Sequence, residues 1–213
     1  MIRLRNLSEL YPLISASAPG YNETSAIREL RMALRKICQE GHVSQDTVET
    51  SLSIGDRSIY VSSPNAAHLV VHRVLSITKP TGDIRIVALD DLNKIEGWRT
   101  ATGDPTMATT ETPGELVLNR APTVAITPIY VRVTTIPTLT STKIDEDVMN
   151  RHGEAVADGA LARILRIPGK PWTNPNAAMA AEQRFNVAIS RARSGSAKNN
   201  AFTSIRTPIK RQC

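Results

Sequence analysis

Apolar positions change period twice along this chain, from helical to alternating and back to helical. Ile27, Leu30, Leu34 and Ile37, with Cys38 one turn beyond Leu34, fall on one helical face and predict an amphipathic helix over residues 23–40, ending before Gly41. Upstream, Leu4 to Ile14 reads as a short helix stopped by Ala18-Pro19-Gly20. Past Gly41 the pattern alternates. Val48, Leu52 and Ile54 are separated by polar residues, Ile59-Tyr60-Val61 follows the turn signal Gly55-Asp56, and Leu69 to Ile77 is rich in Val and Leu. Thr81-Gly82-Asp83 then separates this strand from Ile84-Arg85-Ile86-Val87 as a hairpin.

Leu89 to Glu96 reads as a short helix or turn, and Gly103-Asp104-Pro105 as a loop leading to strands at Leu116–Leu118 and Ile126–Ile136. Prolines at 113, 122, 128 and 137 confine this pairing to short or edge strands, since proline cannot donate to a ladder. From Ile144 the helical period returns. Val156, Ala160 and Ile164, flanked by Leu161 and Leu165, form an apolar stripe, while Gly153, Ala155, Ala157, Gly159 and Ala162 leave other faces open to close approach. Pro168-Gly169-Lys170-Pro171 ends that helix near Ile167, and Asn174-Pro175 is an N-cap followed by proline at the first helical position. Ala177, Ala181, Phe185, Ala188, Ile189 and Ala192 carry the second helix to about Arg193, giving an αα-hairpin. After Ser194-Gly195-Ser196 the periodicity is lost.

The expected fold is therefore α+β. A helical bundle is built from an N-terminal helix and a long C-terminal αα-hairpin, with an inserted small antiparallel β domain and an extended C-terminal tail. The segments are 1–43, N-terminal helical part of the bundle; 44–140, antiparallel β domain; 141–195, helical hairpin; and 196–213, tail.

Charge sharpens the reading of that tail. The 213 residues carry 26 Lys/Arg and 20 Asp/Glu, a net charge of +6. Residues 184–213 hold seven bases and no acid, which leaves 19 bases and 20 acids, a net of −1, for residues 1–183. A near-neutral body argues against wrapping a polyanion over the general surface and for a globular unit with an interaction arm. Lys198, Arg206, Lys210 and Arg211 could release counterions from nucleic-acid phosphates. Phe202, Ile205 and Ile209 would be superfluous for that task and suit docking on a protein.

Catalysis finds no positive support. Neither G-x-x-x-x-G-K-[ST], G-x-G-x-x-G nor G-x-S-x-G occurs. His68 and His72 lie in a segment read as a strand, where i and i+4 stand about 13 Å apart, too far for one ion. Asp90-Asp91 could be catalytic only with a metal and a base, and Asp145-Glu146-Asp147 lies where a helix begins, a place where acids are favoured electrostatically. No cofactor, no metal and no enzymatic activity are expected. Eight aromatic residues are few for base stacking, and Trp172, after its proline corner, suits a wedge between helices. Apolar runs are too short for a spanning helix or a signal peptide, so no membrane partner and no export are expected. Cys38 and Cys213 are too few for a disulfide scaffold and fit a reducing compartment.

The run Gly159-Ala160-Leu161-Ala162-Arg163-Ile164-Leu165, followed by Pro168-Gly169-Lys170-Pro171-Trp172, Asn174-Pro175 and Ala178 through Phe185 to Arg193, resembles the αα-hairpin of head-to-tail adaptor (connector) proteins of tailed bacteriophages, the tail tubular protein A-like group. The order of the earlier segments is similar too: a helix of the Ile27–Ile37 type, Val70 to Ile77, Trp98 before Gly103-Asp104-Pro105, Leu116-Val117-Leu118, and Tyr130-Val131-Arg132-Val133. The likeness spans roughly residues 22–195. It departs at Asn119-Arg120-Ala121-Pro122, where such adaptors often have Pro-x-Pro, and it does not reach the tail after Ser196.

The resemblance implies a structural virion protein at the head–tail junction, assembled in the host cytoplasm. A homo-oligomer ring, dodecameric in the usual case, would bind the portal protein and receive the next tail component, a nozzle or tail tube. Double-stranded DNA would pass through its lumen without sequence-specific binding during ejection. Phe202, Ile205, Arg206, Pro208, Ile209, Lys210 and Arg211 are the expected portal-binding residues, and Leu161, Ile164, Leu165, Trp172, Phe185 and Ile189 the expected packing residues of the hairpin. The alternative is a small DNA-binding protein that uses its basic C-terminal arm.

Overall fold

The computed structural model describes residues 3–63 and 65–201, with 197–201 described by backbone alone. In chain order the elements are β1 (Leu4–Asn6), a 3-10 turn (Leu7–Leu10), α1 (Tyr11–Ser17), α2 (Glu23–Gly41), β2 (Gln45–Leu52), β3 (Ser58–Tyr60), β4 (Leu69–Lys79), β5 (Gly82–Ile86), α3 (Leu89–Asn93), β6 (Met107–Thr112), β7 (Glu115–Leu118), β8 (Ile126–Pro137), β9 (Lys143–Asp145), α4 (Glu146–Ile164) and α5 (Pro175–Ala201). They divide into two compact units: residues 1–4 with 44–146, and residues 5–43 with 147–213.

The first unit is a seven-stranded sheet in the order β2-β8-β4-β5-β6-β7-β3. Its outer strands β2 and β3 come back together, so the sheet is nearly closed. Side chains alternate across a strand, and the inward set forms one core that includes Leu52, Ile59, Ile77, Ile84, Leu116, Leu118, Ile129, Val131 and Val133. Strand β4 shows why its Val/Leu pattern is denser than simple alternation. Leu69, Val71, Val74, Ile77 and Lys79 are buried, and register shifts against β8 fall between Val71 and Arg73 and between Val74 and Ser76. Each irregularity moves the inward phase by one residue, so the apolar positions switch from odd to even and back.

The sheet corrects the sequence expectation of a helical bundle carrying a small antiparallel β insertion. The chain is mixed α/β, with 30% strand and 39% helix, and the sheet contains a parallel pair, β5 with β6 (Arg85↔Met107, Ile86↔Ala108). A parallel pair needs a long crossover, here residues 87–106 with α3 inside it. That crossover is pinned by groups distant in sequence. The Arg57 guanidinium donates to the carbonyls of Trp98 (3.2 Å) and Ala101 (2.9 Å), and the buried Lys79 ammonium to Asp104. Asn119 Oδ1 accepts from the backbone N–H groups of Thr106 (3.1 Å) and Met107 (3.0 Å). Nor is β8 an edge strand: it lies between β2 and β4 despite Pro128. Its pairing with β4 begins only at Tyr130, and its register with β2 shifts between Thr50 and Leu52, so Pro128 falls at an irregularity where no ladder donor is required.

In the second unit, α2 buries Ala26, Leu30, Ala33, Leu34, Ile37 and Cys38 along one stripe. Asn22 caps its start by accepting the Ser25 N–H (3.2 Å), and His42 ends it in the left-handed conformation (φ 53°). A tight approach among helices occurs at Gly159 of α4. A Cβ there would lie 2.9 Å from Ala33 Cβ on α2 and 2.9 Å from the ring edge of Phe185 on α5. Contacts that short do not occur, so three helices meet here only because the side chain is hydrogen.

Helix α5 continues to Ala201 and does not stop near Arg193. The hydroxyls of Ser190 and Ser194 donate to the carbonyls of Asn186 and Ser190 one turn back (3.0 Å each), so the serines turn onto the helix itself.

Gly159→Ala should lower unfolding free energy by about 1–3 kcal/mol through overpacking, more than the ~1 kcal/mol helix propensity it gains. At Gly153 a Cβ meets the movable tip of Leu10, 3.1 Å away, and the same exchange should cost less. Urea titrations of both variants check this ordering, and a Gly159→Ala protein as stable as wild type would contradict it.

Candidate assembly interface

Leu161, Ile164 and Leu165 on the α4 side, and Phe185 and Ile189 on α5, are all buried. Lys36 of α2 stands over the Phe185 ring, 5.7 Å from its centroid. Ion pairs cross the same helices. Arg184 of α5 meets Asp158 of α4 in two contacts, with Nε 2.9 Å from Oδ2, and Arg166 meets Glu182. Arg163 Nε lies 2.8 Å from Oε2 of Glu29, which is buried on α2, in a geometry that makes this an ion pair without an aligned hydrogen bond.

The connection from α4 to α5 is built by short-range capping. Asn174 Oδ1 accepts from the Ala177 N–H (3.0 Å), and the Asn174 N–H donates to Leu165 O (3.0 Å). Thr173 Oγ1 donates to Ile167 O (2.5 Å) and accepts from Lys170 N (3.0 Å). Trp172 is half-buried and meets Tyr21, ahead of α2, edge to face at 5.7 Å between centroids. It also walls a cavity of about 550 Å³ with Leu161, Leu165, Ala177 and Ala181. Its Nε1 is buried and has no acceptor among the described residues.

The end of α5 closes the end of α2. Arg193 Nε donates to Glu40 O (3.0 Å), and Ser196 Oγ lies 2.9 Å from Gly41 O and 3.2 Å from His42 O. These donors meet the carbonyls that a helix C-terminus leaves unpaired, and Arg193 brings positive charge to the negative end of the dipole. Gly41 permits the approach, because a Cβ there would lie 3.0 Å from Ala192 Cβ. Two of the seven bases in the last thirty residues, Arg184 and Arg193, thus have internal partners. The expected portal-binding residues Phe202, Ile205, Arg206, Pro208, Ile209, Lys210 and Arg211 lie outside the described residues.

A second groove, about 740 Å³, runs along the outer side of α4 and α5 between Glu154, Ala155, Asp158, Ala180, Gln183 and Val187. Val187 is 48% exposed and Met179, on the same helix, 56%. His152 in this groove is held below the ordinary histidine range by burial first and by the Arg151 charge second. Acidification therefore charges it later in the fold than in the unfolded chain, which disfavours the fold at low pH.

The residues considered for chemistry fall elsewhere. His72 lies in β4 and His68 just ahead of it, Asp91 pairs with Lys94 (2.8 Å), and Asp147 pairs with Arg151. Among the described residues no group of three or more His, Cys, Asp or Glu is placed to hold a metal ion, and no helix is long and apolar enough to cross a membrane. Trp98 is 5% exposed, donates to Asn93 Oδ1 (3.3 Å) and carries Arg99 on its ring, so it packs inside and offers no platform.

Sequence reading missed Ile54 and Val124 as surface groups. They are 68% and 70% exposed, in the loops that leave β2 and enter β8. Ile54 reads as the last apolar position of the β2 alternation, and its exposure follows from the strand ending at Leu52.

Compared with known families, the chain matches the SU10 adaptor protein family over residues 5–208, and it belongs to that family. It is thus a phage structural adaptor, and the family implies a virion component at the head–tail junction with portal and tail partners. No curated protein matches the chain.

Ser196→Ala should cost about 0.5–1.5 kcal/mol, the net worth of the lost donor to the α2 carbonyls. Hydrogen exchange should show the added opening concentrated in the last turns of α2 and α5. Protection unchanged there would mean that the hydroxyl does not hold these ends together.

Proposed function

We propose that this adaptor works by assembly and not by catalysis. Copies form a ring, dodecameric, beneath the portal, in the manner of tail tubular protein A-like connectors. The ring joins capsid to tail, receives the nozzle or tail tube, and lets double-stranded DNA pass during ejection. It is built in the host cytoplasm and carried into the virion.

The observation that carries this reading is the family match over residues 5–208, which takes in both units and most of the basic C-terminal segment. Charge supports it. Residues 1–183 carry 19 bases and 20 acids, and a near-neutral wall lets DNA slide where a basic one would grip phosphate. The alternative, a small DNA-binding protein with a basic arm, is weakened because Arg184 and Arg193 are engaged within the fold.

Attachment to the portal falls to residues 202–213, whose Phe202, Ile205 and Ile209 add apolar contacts to the charge of Arg206, Lys210 and Arg211. Ordering such a segment costs entropy, and repeated attachment around a ring offsets it through avidity. Because Ser196 closes the α2 end, the informative truncation removes 202–213 and leaves α5 intact. The truncated chain should keep its thermal transition and lose portal binding. Electron microscopy of each form mixed with the portal protein reads the outcome. Full decoration by the truncated chain would remove the tail from the portal contact. Monomers alone with the intact chain, together with tight salt-sensitive binding to duplex DNA, would favour the DNA-binding alternative.

A further inference from the structure

We propose that the outward face of α2 is a docking surface for an acidic face of the portal protein. The inference rests on the portal reading above and adds to it a second contact, separate from residues 202–213.

The two units differ in charge. Residues 5–43 with 147–213 hold 16 bases and 8 acids, a net of +8, whereas residues 1–4 with 44–146 hold 10 bases and 12 acids, a net of −2. Part of that positive excess gathers on α2. Its apolar stripe is turned inward, and its exposed or half-buried residues from Thr24 to Gln39 include Arg28, Arg31, Arg35 and Lys36 but no acid. Positions 28, 32, 35, 36 and 39 recur at helical spacing, so the cations share one face. A face that is only solvated usually interleaves the two signs. Here Arg28 and Arg31, and Arg31 and Arg35, are like charges three and four residues apart, a spacing that disfavours the helix carrying them.

The one acid between Thr24 and Gln39 does not balance this face. Glu29 is buried, and two guanidiniums meet its carboxylate, Arg28 Nε at 3.3 Å and Arg163 Nε of α4 at 2.8 Å. Two cations on one anion leave a surplus, and the arginine side chains are 76% and 54% exposed. Lys36, about 12 Å further along the axis, is held over the Phe185 ring. The fold thus positions cations at both ends of the face, which lowers the ordering cost of a contact.

Met32 stands between those ends with 39% of its surface exposed. Phosphate binding has no use for a thioether, whereas a basic patch with an apolar centre matches an acidic protein surface. A second helical unit brings the same positive excess, so this face is not self-complementary. The portal is the partner because the α2 face adjoins the basic C-terminal segment. Arg193 of that segment donates to Glu40 O, one turn past Lys36, and Ser196 meets the carbonyls of Gly41 and His42.

Arg28→Gln with Lys36→Gln removes two cations, keeps helix propensity and leaves Arg163 on Glu29, so its thermal transition should match wild type. Arg85→Gln with Arg120→Gln removes the same charge from exposed positions of the β unit. Biolayer interferometry of the full chains on purified portal protein, at about 50 and 300 mM salt, compares them. Wild type should bind more weakly at the higher salt. At low salt the α2 variant should bind about tenfold or more weakly than wild type and depend less on salt, while the β-unit variant should bind as wild type does. Arg28→Lys with Lys36→Arg preserves both charges and should retain binding. Wild-type affinity in the α2 variant, an equal loss in the β-unit variant, or loss in the charge-preserving variant would overturn the α2 contact and leave the portal reading standing. Wild type that does not bind portal would overturn that reading itself. Wild-type binding to a DNA duplex of about 20 base pairs at the higher salt, lost in the α2 variant alone, would assign the face to phosphate and overturn the proposal.

Discussion

At Gly159 the packing of the helical unit leaves no room for a side chain. With Ala33 Cβ and the Phe185 ring edge each 2.9 Å from where its Cβ would stand, α4 reaches α2 and α5 together only because nothing is attached there. The approach sets the other contacts of the unit. It holds Phe185 under Lys36, it puts Arg184 within reach of Asp158, and it brings α5 along α2 until Arg193 and Ser196 meet the carbonyls of Glu40, Gly41 and His42. A glycine within a helix normally costs about 1 kcal/mol relative to alanine, and here that cost is offset by the packing of three helices on one point.

The parts of the fold legible in the sequence are those governed by local rules. The α2 stripe, the Asn174-Pro175 start of α5 and the β4–β5 hairpin each follow from a period, a cap or a turn within a few residues. What escaped was decided at long range. Met107–Thr112 is rich in threonine and reads as loop; it becomes β6 because Asn119, Arg57 and Lys79 fix the crossover that lays it beside β5. Pro128 argued for an edge, and only the irregular register with β2 shows how a central strand accommodates it. Ser194-Gly195-Ser196 argued for a stop, yet the helix passes through it, held by carbonyls more than 150 residues earlier. The candidate interface was legible to the same degree. The hairpin residues follow from the stripe, whereas the exposure of Ile54 depends on β2 ending at Leu52, before the alternation in the sequence does.

The charge of the C-terminal thirty residues divides when the structure is considered. Counted along the chain, seven bases and no acid form a single basic block. In space, Arg184 belongs to the hairpin and Arg193 to the cap on α2, so neither is free to define a DNA footprint. A formal count treats every cation as available. Pairing inside the fold removes some of them, and more completely where the partner is buried or bidentate.

Helix α5 joins the adaptor's separate tasks on one body. Its 27 residues, about 40 Å at the helical rise, carry the Phe185 and Ile189 core, one wall of the Trp172 cavity, and the donors that cap the end of α2. A load applied at the Ser196 end of α5 reaches the hairpin core through continuous helix, because hydrogen bonds at Arg193 and Ser196 tie these turns to α2.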